Sequence, residues 1–173
     1  MARKVFVAAT GQNSGKTTTS LSLMYMARKK YQRVGFVKPL GPKPIGAGNG
    51  ILADKDAVLM AEVFGLECDL ALMSPVVLQP GDTQKVLDGK LCGQELERNI
   101  LAAINELDRK YDFLIIEGAG HTGVGSVIVS GSVVLVFAAS RPTACHPAAR
   151  AAPRAMTPAA PTIVVCSRMA SNL

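Results

Sequence analysis

VFVAATGQNSGKTTTSLSLMYMARKK, residues 5–30, contains both a strong structural pattern and a strong chemical motif. The apolar, β-branched residues 4–9 predict a buried strand, and residues 16–30 carry apolar side chains at helical spacing. Between them lies a polar loop with the sequence SGKTT, residues 14–18. Backbone N–H groups of such a loop, together with the N-terminus of the next helix, surround an anion, so this stretch predicts a phosphate-binding strand, loop and helix.

The loop has a predicted role for each part. We expect Lys16 to reach the terminal phosphates of a nucleotide and Thr17 to hold Mg²⁺. The usual motif has glycine five positions before Gly15, where this chain has Thr10, followed by Gly11. An ordinary capped turn is the alternative interpretation. The predicted nucleotide contacts in this loop are Gly11, Gln12, Asn13, Ser14, Gly15, Lys16, Thr17 and Thr18.

Strands and helices alternate through the rest of the N-terminal part. Further strands are predicted in RVGFVKPL (33–40), SPVVLQPGD (74–82) and DFLIIE (112–117), further helices in DKDAVLMAEVFG (54–65) and residues 94–110, and a loop in GPKPIGAGNG (41–50). Apolar strands without polar alternation, separated by helices, favour a parallel sheet that is covered on both faces. We therefore expect an α/β fold of three layers, with a mainly parallel, doubly wound sheet.

Charged side chains follow two of the predicted strands at their carboxyl ends, where open α/β sheets place ligands. Lys38 follows the second strand, and Glu117 ends the strand FLIIE with a carboxylate that suits Mg²⁺. Gly118 and Gly120 would let the backbone approach a ligand closely. Asp56, in the first turn of the next helix, is either another metal ligand or a capping residue.

Composition limits the function classes. A chain of 173 residues with 49% hydrophobic content fits one compact core. Residues 1–125 carry 15 Lys and Arg against 13 Asp and Glu, and aromatic content is 5%, so we expect no nucleic-acid partner. No apolar run reaches membrane-spanning length, and the first apolar run is too short for a signal peptide. We therefore expect a cytoplasmic protein without a membrane partner.

The chain changes character near residue 126. Residues 126–173 contain no Asp, Glu or Lys and only four arginines, and they are rich in Ala and Pro. We therefore divide the chain into a P-loop nucleotide-binding domain, residues 1–126, and an atypical Ala/Pro/Arg-rich segment, residues 127–173. A truncated or frame-shifted continuation would leave the sheet incomplete at its C-terminal side, and a natural low-complexity tail is the alternative. Within the segment, SVVLVF (132–137) and TIVVC (162–166) retain the composition of buried strands.

Four motifs, TGQNSGKTT, VKPLGPKP, DKDA and IIEGAGHTGVGS, occur here in the order and approximate spacing of the dethiobiotin synthetase-like P-loop family. That family also includes cobyrinic acid a,c-diamide synthase, and the chain resembles its branch at the N-terminus of some phosphate acetyltransferases. The resemblance covers roughly residues 3–126. It implies ATP and Mg²⁺ as cofactors, Lys16 and Lys38 as catalytic lysines, and Thr17, Asp56 and Glu117 as metal-binding residues.

The resemblance leaves two functions open. One is a nucleotide-binding module of regulatory or accessory type. The other is an ATP-dependent carbon–nitrogen ligase, which phosphorylates a carboxylate or carbamate before a nitrogen nucleophile displaces the phosphate. The expected partners are the nucleotide, a small carboxylate or amine substrate in the ligase alternative, and a second copy in a homodimer. A partitioning-type ATPase is disfavoured because Gly11 stands in the place of its signature lysine.

Overall fold

The computed structural model describes residues 2–8, 13, 15–48 and 50–119 and the backbone of residues 163–166. The strands in this part are β1 (Arg3–Ala8), β2 (Val34–Val37), β3 (Leu40–Gly41), β4 (Pro44–Gly46), β5 (Leu52–Asp54), β6 (Val76–Val77), β7 (Phe113–Glu117) and β8 (Ile163–Cys166). The helices are α1 (Lys16–Arg28), α2 (Lys55–Phe64), α3 (Leu70–Met73), α4 (Asp82–Leu87) and α5 (Gly93–Lys110), and a 3₁₀ turn (Glu67–Asp69) precedes α3.

The central sheet runs in the order β2, β7, β1, β8, and each neighbouring pair is parallel. Val7 of β1 lies opposite Glu117 of β7, and Val37 of β2 lies opposite Ile116. The carboxyl ends of these three strands therefore meet at one edge of the sheet. The segment 127–173 contributes β8, which pairs with β1. SVVLVF lies outside the described residues, and the domain boundary at residue 126 stays a prediction.

Helices cover both faces of this sheet. On one face α1 and α2 form a core around Phe36 and Ile115, and on the other face α5 packs against Leu114 and Ile116. The side chains of β7 alternate between these two cores because successive strand residues point to opposite faces. The predicted three-layer α/β fold with a parallel sheet is confirmed. No helix in the part that the structure describes is long and apolar enough to cross a bilayer.

Local sequence explains how the helices next to the strand ends begin and end. Asp54 caps α2, because its Oδ1 accepts a hydrogen bond of 2.9 Å from the backbone N–H of Asp56. Gly65 ends α2 with a φ of +67°, a left-handed conformation that glycine adopts without strain. The amphipathic helix expected at 94–110 is α5, and it buries Ile100, Ile104 and Leu107 among its residues.

The loop predicted for residues 41–50 is wrong in part. Residues 44–46 form β4, which pairs antiparallel with β5, and the backbone N–H of Ala47 donates to the carbonyl of Ile51 at 2.9 Å to close the hairpin. The glycines and prolines of this segment indicate turns locally, but the pairing with β5 is a non-local interaction. The strand predicted at residues 74–82 is shorter in the structure, where β6 spans only Val76–Val77 and helix α4 begins at Asp82.

Candidate functional site

The loop between β1 and α1 presents a helix N-terminus to the carboxyl edge of the sheet. Gly15 precedes α1 with a φ of +79°, and a Cβ placed on it would meet nothing within 4 Å, so the backbone conformation is what requires glycine there. The N-cap residue of α1 is Gly15, which has no side chain to bond the first N–H groups, and N–H groups at such a helix start are the ones that bind anions. The predicted contacts Gly11, Gln12 and Ser14 lie outside the described residues.

A cleft of about 230 Å³ opens at this edge. It is lined by Asn13, Gly15, Lys16, Thr17, Thr18, Lys38, Pro42, Lys43, Lys55, Asp56 and Glu117. The fold therefore brings together every described residue of the predicted site except Gly118. The backbone N–H of Gly118 instead donates to the carbonyl of Val7 at 2.9 Å, and Gly120 lies outside the described residues.

Lys38 is the centre of a buried charged group. It follows β2 directly and is 4% exposed. Its Nζ lies 3.2 Å from Oδ1 of Asp54 and 3.4 Å from Oε1 of Glu117, and it also pairs with Oδ2 of Asp56. We call Lys38, Asp54, Asp56 and Glu117 the strand-end cluster. One cation faces three carboxylates in it, so its net charge is negative when all four groups are ionised.

Burial and charge act against each other in this cluster. Burial by itself disfavours the ammonium of Lys38, but the charge of Glu117, the hydrogen bond to Asp56 and the charge of Asp54 raise its pKa overall. Burial raises the pKa of Glu117, and this effect exceeds the opposing attraction of Lys38 and the hydrogen bond from Ser20. Lys38 therefore stays protonated at neutral pH.

Glu117 also fixes α1 to the end of β7. Its side chain is 1% exposed, and it accepts hydrogen bonds from Ser20 Oγ to Oε2 at 2.7 Å and from Thr17 Oγ1 to Oε1 at 3.3 Å. Thr17 and Ser20 are three residues apart, so they face the same side of the helix. Sequence reasoning missed Ser20, although this spacing from Thr17 was a signal that could have found it.

Lys16 enters the cleft from the first turn of α1. It is 6% exposed, and burial lowers the pKa of its ammonium despite the attraction of Glu117. The positive charges of Lys38 and Lys43 lower this pKa further. An anion in the cleft would relieve this repulsion and favour the charged form of Lys16.

The residues fit the metal that the sequence predicts. Thr17, Asp56 and Glu117 present hydroxyl and carboxylate oxygens, which Mg²⁺ prefers as ligands. Among the described residues no three His, Cys, Asp or Glu side chains form a ready-made metal site. Mg²⁺ rarely uses such a cage, because it keeps several waters and is bound by one or two carboxylates together with phosphate oxygens.

Two features of the parallel sheet define a P-loop NTPase domain. A GKT motif lies between its first strand and first helix, and a lysine and a carboxylate lie at the ends of two neighbouring strands. A family model described as an AAA domain matches residues 3–141. The chain belongs to this family, within its dethiobiotin synthetase-like, ATP-binding group of P-loop proteins.

Curated relatives agree with this assignment. The chain is 31% identical over 120 residues to an ATP-dependent dethiobiotin synthetase of Methanocaldococcus jannaschii, covering 67% of this chain and 52% of that protein. It is 25% identical over 121 residues to an ATP-dependent dethiobiotin synthetase of Escherichia coli, covering 69% and 53%. A phosphate acetyltransferase of Nitratidesulfovibrio vulgaris is 26% identical over 123 residues, covering 71% and 16%. The chain thus spans about half the length of these synthetases.

Proposed function

We propose that the chain is a Mg-ATP-binding module of regulatory or accessory type and that the cleft binds the phosphates of the nucleotide. The observation that carries this proposal is the meeting of two nearly buried lysines, Lys16 and Lys38, in one cleft beside the N-terminus of α1. A polyphosphate in this cleft would bring negative charge to both ammonium groups and would offset the repulsion that Lys38 and Lys43 exert on Lys16. The match to a phosphate acetyltransferase covers 16% of that protein. It supports the accessory role, because the matching segment is a small part of that larger enzyme.

Each residue has a distinct task in this proposal. Lys16 and the N–H groups of α1 hold the terminal phosphates, while Lys38 moves its hydrogen bonds from the carboxylates to the phosphate at the far side of the cleft. Thr17, Asp56 and Glu117 would hold Mg²⁺, which neutralises phosphate charge when bound. Glu117 keeps Thr17 and Ser20 in place through its two hydrogen bonds.

A carbon–nitrogen ligase is the second candidate. The position of Lys38 favours a ligase. Its ammonium contacts Glu117, on the side of the phosphate loop, and Asp56, on the side of α2, so it lies between the two sides of the cleft. A phosphoryl group passing from ATP to a carboxylate or carbamate across that cleft would be stabilised throughout by the same ammonium. The synthetases among the relatives are themselves named as ATP-dependent.

Calorimetric titration with Mg-ATP tests nucleotide binding. Lys16→Ala removes a charged contact inside the site and should cost about 2–3 kcal/mol, or roughly a 30- to 150-fold loss of affinity. Its urea unfolding midpoint should not fall, because burial already disfavours this ammonium in the folded protein. Lys29→Ala, past the far end of α1, is the matched control. Equal affinity of wild type and Lys16→Ala would contradict the assignment.

ATP turnover separates the two candidates. Phosphate release is measured with Mg-ATP alone and with added amino-carboxylates plus bicarbonate or ammonia. Release that depends on one of these compounds identifies a ligase. Nucleotide binding without substrate-dependent release supports the module.

A further inference from the structure

Asp54, the last residue of β5, differs from the other two carboxylates of the strand-end cluster. Asp56 and Glu117 line the cleft and accept hydrogen bonds from the ammonium of Lys38. Asp54 is 0% exposed and does not line the cleft, and its Oδ1 forms an ion pair with Lys38 Nζ at 3.2 Å. Lys38 therefore has two carboxylate partners that a bound molecule can contact and one that is shielded from it.

The backbone holds both oxygens of the Asp54 carboxylate. Oδ1 accepts from the N–H of Asp56 at 2.9 Å, and Oδ2 accepts from the N–H of Lys43 at 3.0 Å. The N–H of Lys55 donates to the carbonyl of Lys43 at 3.0 Å, which ties the start of α2 to the hairpin. The N–H of Asp54 itself donates to Ser74 Oγ at 2.9 Å. These bonds fix the carboxylate from the protein side, so its position does not depend on a ligand.

A metal in the cleft would change the partners of Lys38. Asp56 and Glu117 are the carboxylates assigned to Mg²⁺ above, and each oxygen that they turn toward a metal is lost to the ammonium or shared with it. Lys38 is 4% exposed, and a buried charge without a partner is strongly unfavourable. Asp54 is then the carboxylate of the cluster that stays with Lys38.

We propose that Asp54 is the permanent counter-ion of Lys38, a positioning residue that holds the ammonium at the cleft while Asp56 and Glu117 bind the metal. The assignment rests on the proposed function for the metal and the nucleotide. Without the charge of Asp54, Lys38 keeps Asp56 and Glu117 as its counter-ions and competes with Mg²⁺ for them. Removal of the buried carboxylate should therefore raise the requirement for Mg²⁺, although Asp54 is no metal ligand in this proposal.

The first test measures the Mg²⁺ concentration at which binding of a non-hydrolysable ATP analogue reaches half its maximum, by calorimetry on the whole chain. The variants are Asp54→Asn and Asp54→Ser, because both new side chains can cap α2 but carry no charge. Ser74→Ala is the matched control, since it removes the hydrogen bond to the backbone N–H of Asp54 without changing a charge. We expect a rise of about fivefold in both Asp54 variants and of less than about twofold in Ser74→Ala.

Lys38→Met shows whether Asp54 acts through the lysine. In this background no ammonium at position 38 competes with the metal, so adding Asp54→Asn should leave the Mg²⁺ requirement of nucleotide binding unchanged. A rise of similar size with and without Lys38 would mean that Asp54 attracts the metal through its charge alone, and would overturn the proposal.

Urea unfolding without nucleotide or metal tests the pairing itself. The shift of the unfolding midpoint in Lys38→Met/Asp54→Asn should be smaller than the sum of the two single shifts, because the double variant has no Asp54 carboxylate left unpaired in the core. Lys110→Met, which removes a lysine paired with Asp69 instead, is the control. Its shift should add to that of Asp54→Asn.

The proposal is also overturned by an unchanged Mg²⁺ requirement in both Asp54 variants, by a rise in Ser74→Ala as large as theirs, or by full additivity of Lys38→Met and Asp54→Asn. Failure of wild type to bind ATP would instead contradict the proposed function, and the unfolding measurements still decide whether Asp54 and Lys38 act as a pair.

Discussion

Two groups of charged side chains lie at opposite parts of this domain. In the first, Lys110 Nζ lies 2.7 Å from Oδ1 of Asp69, and the hydroxyl of Tyr111 donates to Oδ2; we call these three residues the Asp69 cluster. Within these three residues one ammonium and one hydroxyl donate to a single carboxylate, and Lys110 also lies 3.5 Å from Oε1 of the exposed Glu106. The strand-end cluster instead places three carboxylates around Lys38 and faces a cleft.

The two clusters shift carboxyl pKa values in opposite directions. Burial would raise the pKa of Asp69, but the hydrogen bonds from Lys110 and Tyr111 lower it overall. The pKa of Glu117 is raised, because burial exceeds the attraction of Lys38. A balanced cluster thus favours its ionised carboxylate and stabilises the fold. An unbalanced cluster beside a cleft retains unfavourable charge, which a ligand can compensate.

The largest expected difference between the clusters concerns their lysines. Lys38→Met leaves the carboxylates of Asp54 and Glu117, 0% and 1% exposed, without a cation and should lower the free energy of unfolding by about 3–5 kcal/mol at pH 7. Lys110→Met removes a side chain that is 43% exposed and should cost about 1 kcal/mol or less. Urea unfolding measures both. Equal losses would mean that the two clusters do not differ in this way.

The next prediction concerns Asp69. Asp69→Asn keeps an acceptor for Tyr111 but loses the charge that Lys110 faces, so stability should fall by about 2 kcal/mol at pH 7 without a change in ATP affinity. Because the folded-state pKa of Asp69 lies below 3.8, its contribution is present above that pH and is lost as the pH falls through the lowered pKa.

Urea unfolding between pH 2 and pH 7 checks this sign. The difference in stability between wild type and Asp69→Asn should shrink as the pH falls below 3.8. A constant difference over this range would show that the carboxylate charge of Asp69 contributes nothing, and that shape alone explains the variant.

The smallest expected effect is on metal dependence. Glu117→Gln keeps the shape of the side chain and one of the two acceptor oxygens that face Thr17 and Ser20, but it removes the charge that a hard cation needs. The Mg²⁺ concentration at which ATP binding reaches half its maximum should rise about tenfold, equivalent to ~1.4 kcal/mol. ATP titrations across a Mg²⁺ series compare this variant with wild type and with Glu106→Gln, which changes an exposed carboxylate on α5. Superimposable curves for all three would leave Glu117 with a structural role only.

Local signals explain what the sequence could predict. The strand, loop and helix around Lys16 follow from hydrophobic periodicity and from the GKT motif. Lys38 and Glu117 could be placed near each other because the carboxyl ends of parallel strands meet at one edge of a sheet. These parts of the site can therefore be predicted without knowing the register in which distant segments pair.

Non-local pairing explains what the sequence could not predict. Asp54 stands at the start of α2, a position typical of a helix cap, yet it also pairs with Lys38, and this contact depends on where the hairpin lies. The position of Lys43 opposite Lys55 depends on the register of β4 and β5, within a segment whose prolines and glycines indicated a loop. Both features arise from tertiary packing.

The strand order also has a consequence for the synthesis of this protein. β1 and β2, which carry the phosphate loop and Lys38, do not pair with each other, because β7 lies between them. Before residue 117 has been synthesised, the nascent chain therefore lacks the strand that brings Lys16 and Lys38 together. Pairing β7 with β1 and β2 forms contacts between residues about 80 to 110 positions apart in sequence. On the ribosome, nucleotide can therefore bridge Lys16 and Lys38 and stabilise the domain only after β7 has emerged.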